Sequence, residues 1–423
     1  MESREKDIDN SCWSKQQFGG ANPYSLWTST SLYWAPACVC LAVISLVILS
    51  VCEVYSATIA GHGNHYVVMQ TMWVTLGIIG AAIIAFILPL KKIYDWSHLW
   101  LILIGVPLAY LAFAQCMVHV HRSWISFFPF ATEINGAVRW LKIGPIQIQP
   151  SEFGKIAVIL FLAAYYGRLG RDKTHKLLNG LIVPGVCAGF ILLMMILGKD
   201  MSTTVITAGT VGSIMYLAGV DWKHLLAVLL AVVLLGTAVV IHTPWRMKRI
   251  TSFMKGRDKI QQVDKASDDD RYQIDRSLMC LGSGGTTGTG YADGYMKTYL
   301  PENHTDFIIA VIGEEFGLLG IYFVIGCYLT ICGGIMLIAR ECRARSDLLL
   351  CMGVAVIIAA QSFVNLGVIS DSIPSTGLTA PFLSYGGSSM LCMMALIGLV
   401  MNVALRNNRF VRNEVQARNS MRG

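Results

Sequence analysis

Ten apolar runs, each about as long as a bilayer is thick, constrain this chain more than any other feature. Read between polar breaks they cover residues 35–57, 67–88, 99–118, 152–169, 178–197, 203–220, 225–243, 307–339, 348–368 and 388–405. A helix of about 20 apolar residues crosses the hydrocarbon layer, where the backbone must satisfy its own hydrogen bonds. The expected fold is an all-α polytopic membrane protein with ten transmembrane helices. Only 14% of the 423 residues are charged and 54% are hydrophobic, whereas soluble domains carry roughly 25% charged residues. That balance excludes an ordinary soluble enzyme and a disordered chain. Most of the twelve cysteines lie inside the apolar runs and no C-x-x-C pair occurs, so neither a disulfide framework nor a zinc site is supported.

Charge placement sets the orientation. With the N-terminus in the cytoplasm, the inner segments hold 18 Lys and Arg and the shorter outer ones five. The other ten lie in residues 244–305, a segment of 62 residues that is too long for the positive-inside rule to govern. The expected topology is N-in/C-in, with a large extracytoplasmic loop between spans seven and eight. Residues 1–34 form a polar cytoplasmic tail whose Glu2, Glu5, Asp7 and Asp9 are unlike a cleaved signal peptide, so span one is expected to remain as an anchor. Residues 35–405 form the membrane domain and 406–423 a basic cytoplasmic tail. The two largest loops, 118–151 and 244–305, then face away from cytosolic ATP and nucleotide sugars.

Several motifs carry chemistry-bearing residues. Leu300-Pro301-Glu302-Asn303-His304-Thr305-Asp306-Phe307 places Asp306 at the membrane edge, where it could cap the following helix or act as a base. Glu314 and Glu315 lie deeper, and such acids either mark a site or pair with basic residues in the bundle. Gln149-Pro150-Ser151-Glu152-Phe153-Gly154-Lys155 sets Glu152 and Lys155 on one helical face, close enough to form an ion pair. Arg139-Trp140 reads as an interfacial segment. In Lys199-Asp200-Met201-Ser202-Thr203, Asp200 is expected to cap span six through the Thr203 amide. Pro244-Trp245-Arg246-Met247-Lys248-Arg249 brings three cations to the bilayer surface, suited to phosphate or lipid headgroups. Gly282–Gly290 is rich in glycine but lacks the Gly-Lys-Ser/Thr of a nucleotide cradle. Pro374–Ser389 is an uncharged loop whose prolines and glycines indicate imposed backbone geometry.

In this order the motifs resemble the SEDS family (shape, elongation, division and sporulation), the group of FtsW, RodA and SpoVE. The resemblance rests on Asn-Gly-Ala-x-Arg-Trp (135–140), Gln-Pro-Ser-Glu (149–152), Leu-Gly-Ser-Gly-Gly (281–285), Leu-Pro-Glu-x-His-Thr-Asp-Phe (300–307) and Pro-Phe-Leu-Ser-Tyr-Gly-Gly-Ser-Ser (381–389). It implies ten membrane helices in a bacterial inner membrane and peptidoglycan glycosyltransferase activity on lipid II, alongside a class B penicillin-binding protein and other division proteins. Residues 245–253 and 374–379 resemble the division branch more than the elongation branch. By motif position Asp306 matches the family's catalytic acid, and Arg139, Glu152 and Lys155 match polar residues its members need. Two departures stand out: Met69-Gln70 where relatives have Arg-Gln, and Lys199-Asp200-Met201-Ser202-Thr203 where they have Pro-Asp-x-Gly-Thr. Lys199 could replace the cation missing at Met69.

The chemistry implied needs little. A pyrophosphate leaving group departs as a stable anion, so one base and several cations suffice. Asp306 would take the proton of the acceptor hydroxyl, while Arg139, Lys155, Arg246 and Arg249 offset charge on the departing pyrophosphate. A divalent cation could share that task through Asp200 or Glu152. One base opposite the leaving group implies inversion. A lipid flippase and a non-catalytic division scaffold are the competing readings.

Overall fold

The structure, a computed structural model, describes residues 26–58, 64–134, 136–144, 146–241, 247 and 269–420. Helices form over all ten apolar runs: α1 (Leu26–Thr58), α2 (His65–Phe86), α4 (Ser97–Val120), α5 (Pro150–Arg168), α7 (Val183–Leu197), α8 (Met201–Leu217), α9 (Trp222–Ile241), the pair α11 (Ile308–Glu315) and α12 (Gly317–Arg340), α13 (Arg345–Ile369) and α14 (Gly387–Ser420). Short connectors are α3 (Leu90–Asp95) and α6 (Arg171–Thr174), and α10 (Asp269–Gly284) lies in the long loop. By length and composition seven of the helices can cross a membrane: those in α1, α2, α4, α7 with its preceding turn, α12, α13 and α14. Two of the others fall short for physical reasons: α8 has 17 residues, and α5 carries Glu152, Lys155 and Arg168. Helix α9 runs for 20 residues through a strongly apolar sequence. The chain is thus a multi-pass membrane protein in which α14 packs most extensively along α2, α12 along α1, and α13 along α5 and α12.

Two features depart from the expected architecture. First, the fold is not wholly helical. Residues read as an interfacial segment form an antiparallel sheet of β1 (Ala131–Ile134), β2 (Ala137–Ile143) and β3 (Ile146–Ile148), in the order β1-β2-β3. Leu141 pairs with Ala131 on one side and Ile148 on the other. The run Val138-Arg139-Trp140-Leu141-Lys142-Ile143 carries Val, Trp and Ile, residue types that fit a pleated, half-buried surface. Val138 seats that face against Leu111, Ala114 and Val118 of α4, and its N–H donates to Gln115 Oε1 at 2.7 Å.

Second, span eight is broken. Helix α11 is entirely buried and stops at Phe316, and α12 restarts at Gly317. A break in a buried helix strands carbonyl and N–H groups that lipid cannot satisfy. The glycine-rich loop supplies the partners: Thr289 and Gly290 N–H donate to the Glu314 and Glu315 carbonyls at 2.9 and 3.1 Å, and Leu318 N–H donates to Gly285 O at 3.0 Å. Gly288 (φ +84°) is confined there, because a Cβ would lie 2.0 Å from Glu315 O. The glycine-rich loop is therefore a plug for the helix break. Glu314 and Glu315 pin the same region by their side chains. Glu314 accepts from Met296 and Lys297 N–H at 2.7 and 2.8 Å, and Lys297 Nζ meets Glu315 Oε1 at 2.5 Å. Helix α14 runs unbroken to Ser420, beyond the apolar span that ends at Asn408.

The charged ends of the molecule are separated along α5. At its C-terminal end Arg168 pairs with Asp95 at 2.7 Å, and Arg345 donates to Leu169 O at 2.8 Å, near the Arg406–Asp347–Tyr94 cluster. Its N-terminal end adjoins Asp200. Eighteen helical steps at about 1.5 Å put the two ends roughly 27 Å apart, close to the thickness of a hydrocarbon core.

Candidate active site

The long loop reaches the bundle through the turn at residues 301–307, where Thr305 and Phe307 N–H donate to Glu302 O at 3.1 and 3.3 Å. Phe307 occupies the N-cap position of α11 and no side chain caps that helix. Asp306 therefore does not perform the capping role that its position allows. Its backbone is clasped from outside the turn. Asn365 Nδ2 on α13 donates to Asp306 O at 2.9 Å, Ser384 Oγ donates to Thr305 O at 2.5 Å, and Tyr385 N–H donates to His304 O at 2.8 Å. The rings of Tyr66, His304 and Tyr385 pack together beside it, with centroids 4.7 to 5.7 Å apart.

The Asp306 carboxylate sits half-buried beneath the loop that follows α13. Gly377 (φ +68°) passes so close that a Cβ there would lie 3.6 Å from Asp306 Oδ2. Removal from water disfavours the charged form, and the neighbouring Glu302 carboxylate adds to the effect while the Arg139 cation opposes it. Together they push the Asp306 carboxyl up to about 7. A carboxylate so placed holds a proton far better than a free one, which a general base requires.

The other residues singled out from sequence divide. Arg139, on β2, is brought to Asp306 by its charge. Its Nη2 donates to Lys199 O at 2.5 Å, and its Nε has no partner among the described residues. Lys199 Nζ donates to Gly136 O at 2.9 Å, in the turn between β1 and β2. Asp200 stands at the N-cap of α8 but makes no side-chain cap bond, contrary to expectation. Its Oδ2 instead accepts from Gln149 Nε2 at 2.9 Å and Ser151 Oγ at 2.6 Å, tying α8 to α5. Glu152 and Lys155 form an ion pair of 2.7 Å whose side chains are 6% and 1% exposed. Lys155 also donates to Gln361 Oε1 at 3.3 Å. The Lys155 ammonium is thus enclosed between Glu152 and Gln361. Arg246 and Arg249 lie outside the described residues. Among the described residues no three His, Cys, Asp or Glu gather as a metal would need, and Glu152 and Asp200 are each engaged elsewhere.

Gln361, Asn365 and Ser384 were not picked out from sequence. The signal was available: Gln361 and Asn365 are polar residues at i and i+4 on a run that is otherwise mostly apolar, so they share one face of α13. Both address the loop over Asp306, since Gln361 Nε2 donates to Thr379 O at 3.0 Å and Asn365 Nδ2 to Leu378 O at 2.8 Å.

A family model described as cell cycle protein, for the FtsW, RodA and SpoVE group, matches residues 30–409. The probable peptidoglycan glycosyltransferase FtsW of Taylorella equigenitalis (strain MCE9) is 33% identical over 374 residues, 85% of this chain and 96% of that protein. The protein of the same name from Coxiella burnetii is 31% identical over 388 residues, 89% of this chain and 98% of the other. Among solved structures, a chain of a peptidoglycan synthase complex that coordinates polymerization and crosslinking superimposes with a TM-score of 0.70 at 24% identity, covering 87% of this chain and 97% of that one. The rod shape determining protein RodA of Thermus thermophilus gives 0.61, also at 24% identity, covering 87% and 95%. Those two likenesses speak for the fold. With the family match running through nearly every membrane helix, the chain belongs to the FtsW/RodA/SpoVE family, the SEDS proteins.

Proposed function

We propose that this protein is a peptidoglycan glycosyltransferase that polymerises lipid II on the outer face of the cytoplasmic membrane, with Asp306 as general base. The observation that carries the reading is the Asp306 carboxylate, held in a clasped turn with its proton affinity raised to about 7 and the Arg139 cation beside it. In the reaction, the acceptor hydroxyl oxygen attacks the anomeric carbon of the donor sugar while its proton passes to Asp306. The carbon–oxygen bond to pyrophosphate breaks with both electrons leaving on the pyrophosphate. Attack opposite the leaving group inverts the anomeric centre, so an α-linked donor gives a β-linked strand. Arg139 is the described cation next to the base and offsets developing negative charge. Relatives named for glycosyltransferase activity support the substrate class. The 245–253 and 374–379 runs favour division over elongation. A class B penicillin-binding protein is the expected partner, its single membrane helix laid on α12 and α13, where Leu319, Tyr322, Phe323, Leu329 and Phe363 are exposed.

Purified protein supplied with labelled lipid II tests this directly. Strand synthesis is expected from the wild type. Asp306→Asn is expected to insert and bind its partner normally and to lose at least the ~10²-fold contributed by a positioned base. Near-normal synthesis by Asp306→Asn would remove the mechanism, and lipid translocation without polymerisation by the wild type would favour a flippase.

A further inference from the structure

We propose that Asn365 is the positioning residue that seats Asp306 for catalysis. Its single amide nitrogen holds together the turn that carries the base and the loop that covers it. Both of its N–H bonds are used, one on Asp306 O at 2.9 Å and one on Leu378 O at 2.8 Å, and the side chain is 2% exposed. The orientation of the amide is determined by these partners, because the reverse flip would set its oxygen against two carbonyl oxygens. Leu378 adjoins Gly377, the residue that passes over the Asp306 carboxylate. One side chain thus sets the distance between the carboxylate and its cover.

The seat is braced by a second polar chain on the same helix face. Gln361, one turn earlier, holds the neighbouring Thr379 carbonyl and is itself contacted by Lys155, which is paired with Glu152. The buried ion pair of α5 therefore ends on the loop over the base, and its part is to anchor that loop. Ser202 Oγ adds a bond to Thr376 O at 2.5 Å from the start of α8. These links from α8 and α13 fall on residues 376, 378 and 379, on either side of Gly377, and burial is the largest cause of the raised proton affinity of Asp306. Loosening the seat admits water to the carboxylate and lowers that affinity.

This inference rests on Asp306 as the base, so the experiment reads Asp306 both with and without turnover. Asn365→Ala, Asn365→Ser and the control Ser362→Ala are compared with wild type in the full-length protein. Ser362 lies on α13 and donates within its own helix, to Ile358 O at 2.7 Å. Polymerisation gives kcat and KM for lipid II. Separately, a water-soluble carbodiimide labels protonated Asp306, and mass spectrometry follows labelling against pH. Asn365→Ala is expected to lower kcat tenfold or more with KM within twofold, and to move the labelling midpoint at least half a pH unit lower. Asn365→Ser, which keeps one donor, should fall between, and Ser362→Ala should match wild type in both readouts. Wild-type kcat in Asn365→Ala, or a lost kcat with an unmoved labelling midpoint, overturns the proposal. Should Asn365→Ala fail to fold, an unmoved midpoint in Asn365→Ser overturns it equally. If the wild type does not polymerise lipid II, the proposed function fails while the labelling still decides the role of Asn365.

Discussion

The proton affinity of Asp306 is set by what surrounds it, and its proposed role as base therefore predicts a defined pH dependence of the activity. The carboxyl is raised by burial and by Glu302, so it keeps its proton up to about pH 7. A base must be unprotonated to act, so polymerisation is expected to be full above that value and lost as pH falls through it. The acid limb of kcat checks this, and a midpoint near 4 would mean that the carboxylate is solvated during turnover. Lys155 offers a second residue-level test. Removing one partner of a buried pair leaves the other charge unpaired at a cost of about 3–5 kcal/mol, whereas removing both can be nearly neutral. Lys155→Met should therefore destabilise strongly, and Glu152→Gln with Lys155→Met should recover most of the stability in chemical denaturation. On the reading that Lys155 serves Gln361 and not the pyrophosphate, the double variant should also regain measurable polymerisation. A folded double variant with no activity would return Lys155 to the substrate. Asp306, Arg139 and the Glu152–Lys155 pair were legible in sequence because charged groups are conspicuous in apolar runs. The contact of Lys155 with Gln361 was not, since spacing reveals a partner on the same helix and nothing about Gln361 on another.

Among the elements, the break between α11 and α12 shows what an apolar run conceals. Residues 307–339 read as one long span because hydropathy registers side chains and is blind to a backbone that stops and restarts at Phe316 and Gly317. The compensating partner was visible as a glycine cluster whose purpose could not be read from composition. Adding a single methyl group tests the fit: Gly288→Ala puts a carbon where only 2.0 Å separates it from Glu315 O, at a φ of +84°. The expected result is loss of the folded protein or a displaced loop, seen as a lowered melting temperature and loss of strand synthesis. A wild-type melting temperature would show that the loop does not seal the break. The sheet β1-β2-β3 was overlooked for the opposite reason. The strand-favouring Val138, Trp140 and Ile143 were in plain view, but strand pairing is a property of segments that meet, and a charged residue near a membrane also suits an interfacial helix.

For the whole molecule, two polar ends about 27 Å apart by helical rise are what a bilayer-spanning enzyme with an external site requires, and the direction can be measured. Cys280, an obvious reporter on the long loop, is fully buried and would not react. Tyr295 is 65% exposed on the same loop. In a background without other cysteines, Tyr295→Cys should be labelled by a membrane-impermeant thiol reagent from outside intact cells, and Arg340→Cys only after lysis. The reverse pattern would invert the molecule. The clasp around the Asp306 turn also has a consequence for biosynthesis. The turn emerges from the ribosome well before its seat, because Asn365 follows Asp306 by 59 positions and Ser384 follows Thr305 by 79. A nascent chain with α11 and α12 already inserted carries the proposed base but lacks the groups that hold and cover it. On the proposed mechanism, competence arrives only once those later segments are in place, so a prematurely terminated chain would not begin a strand it is unable to continue.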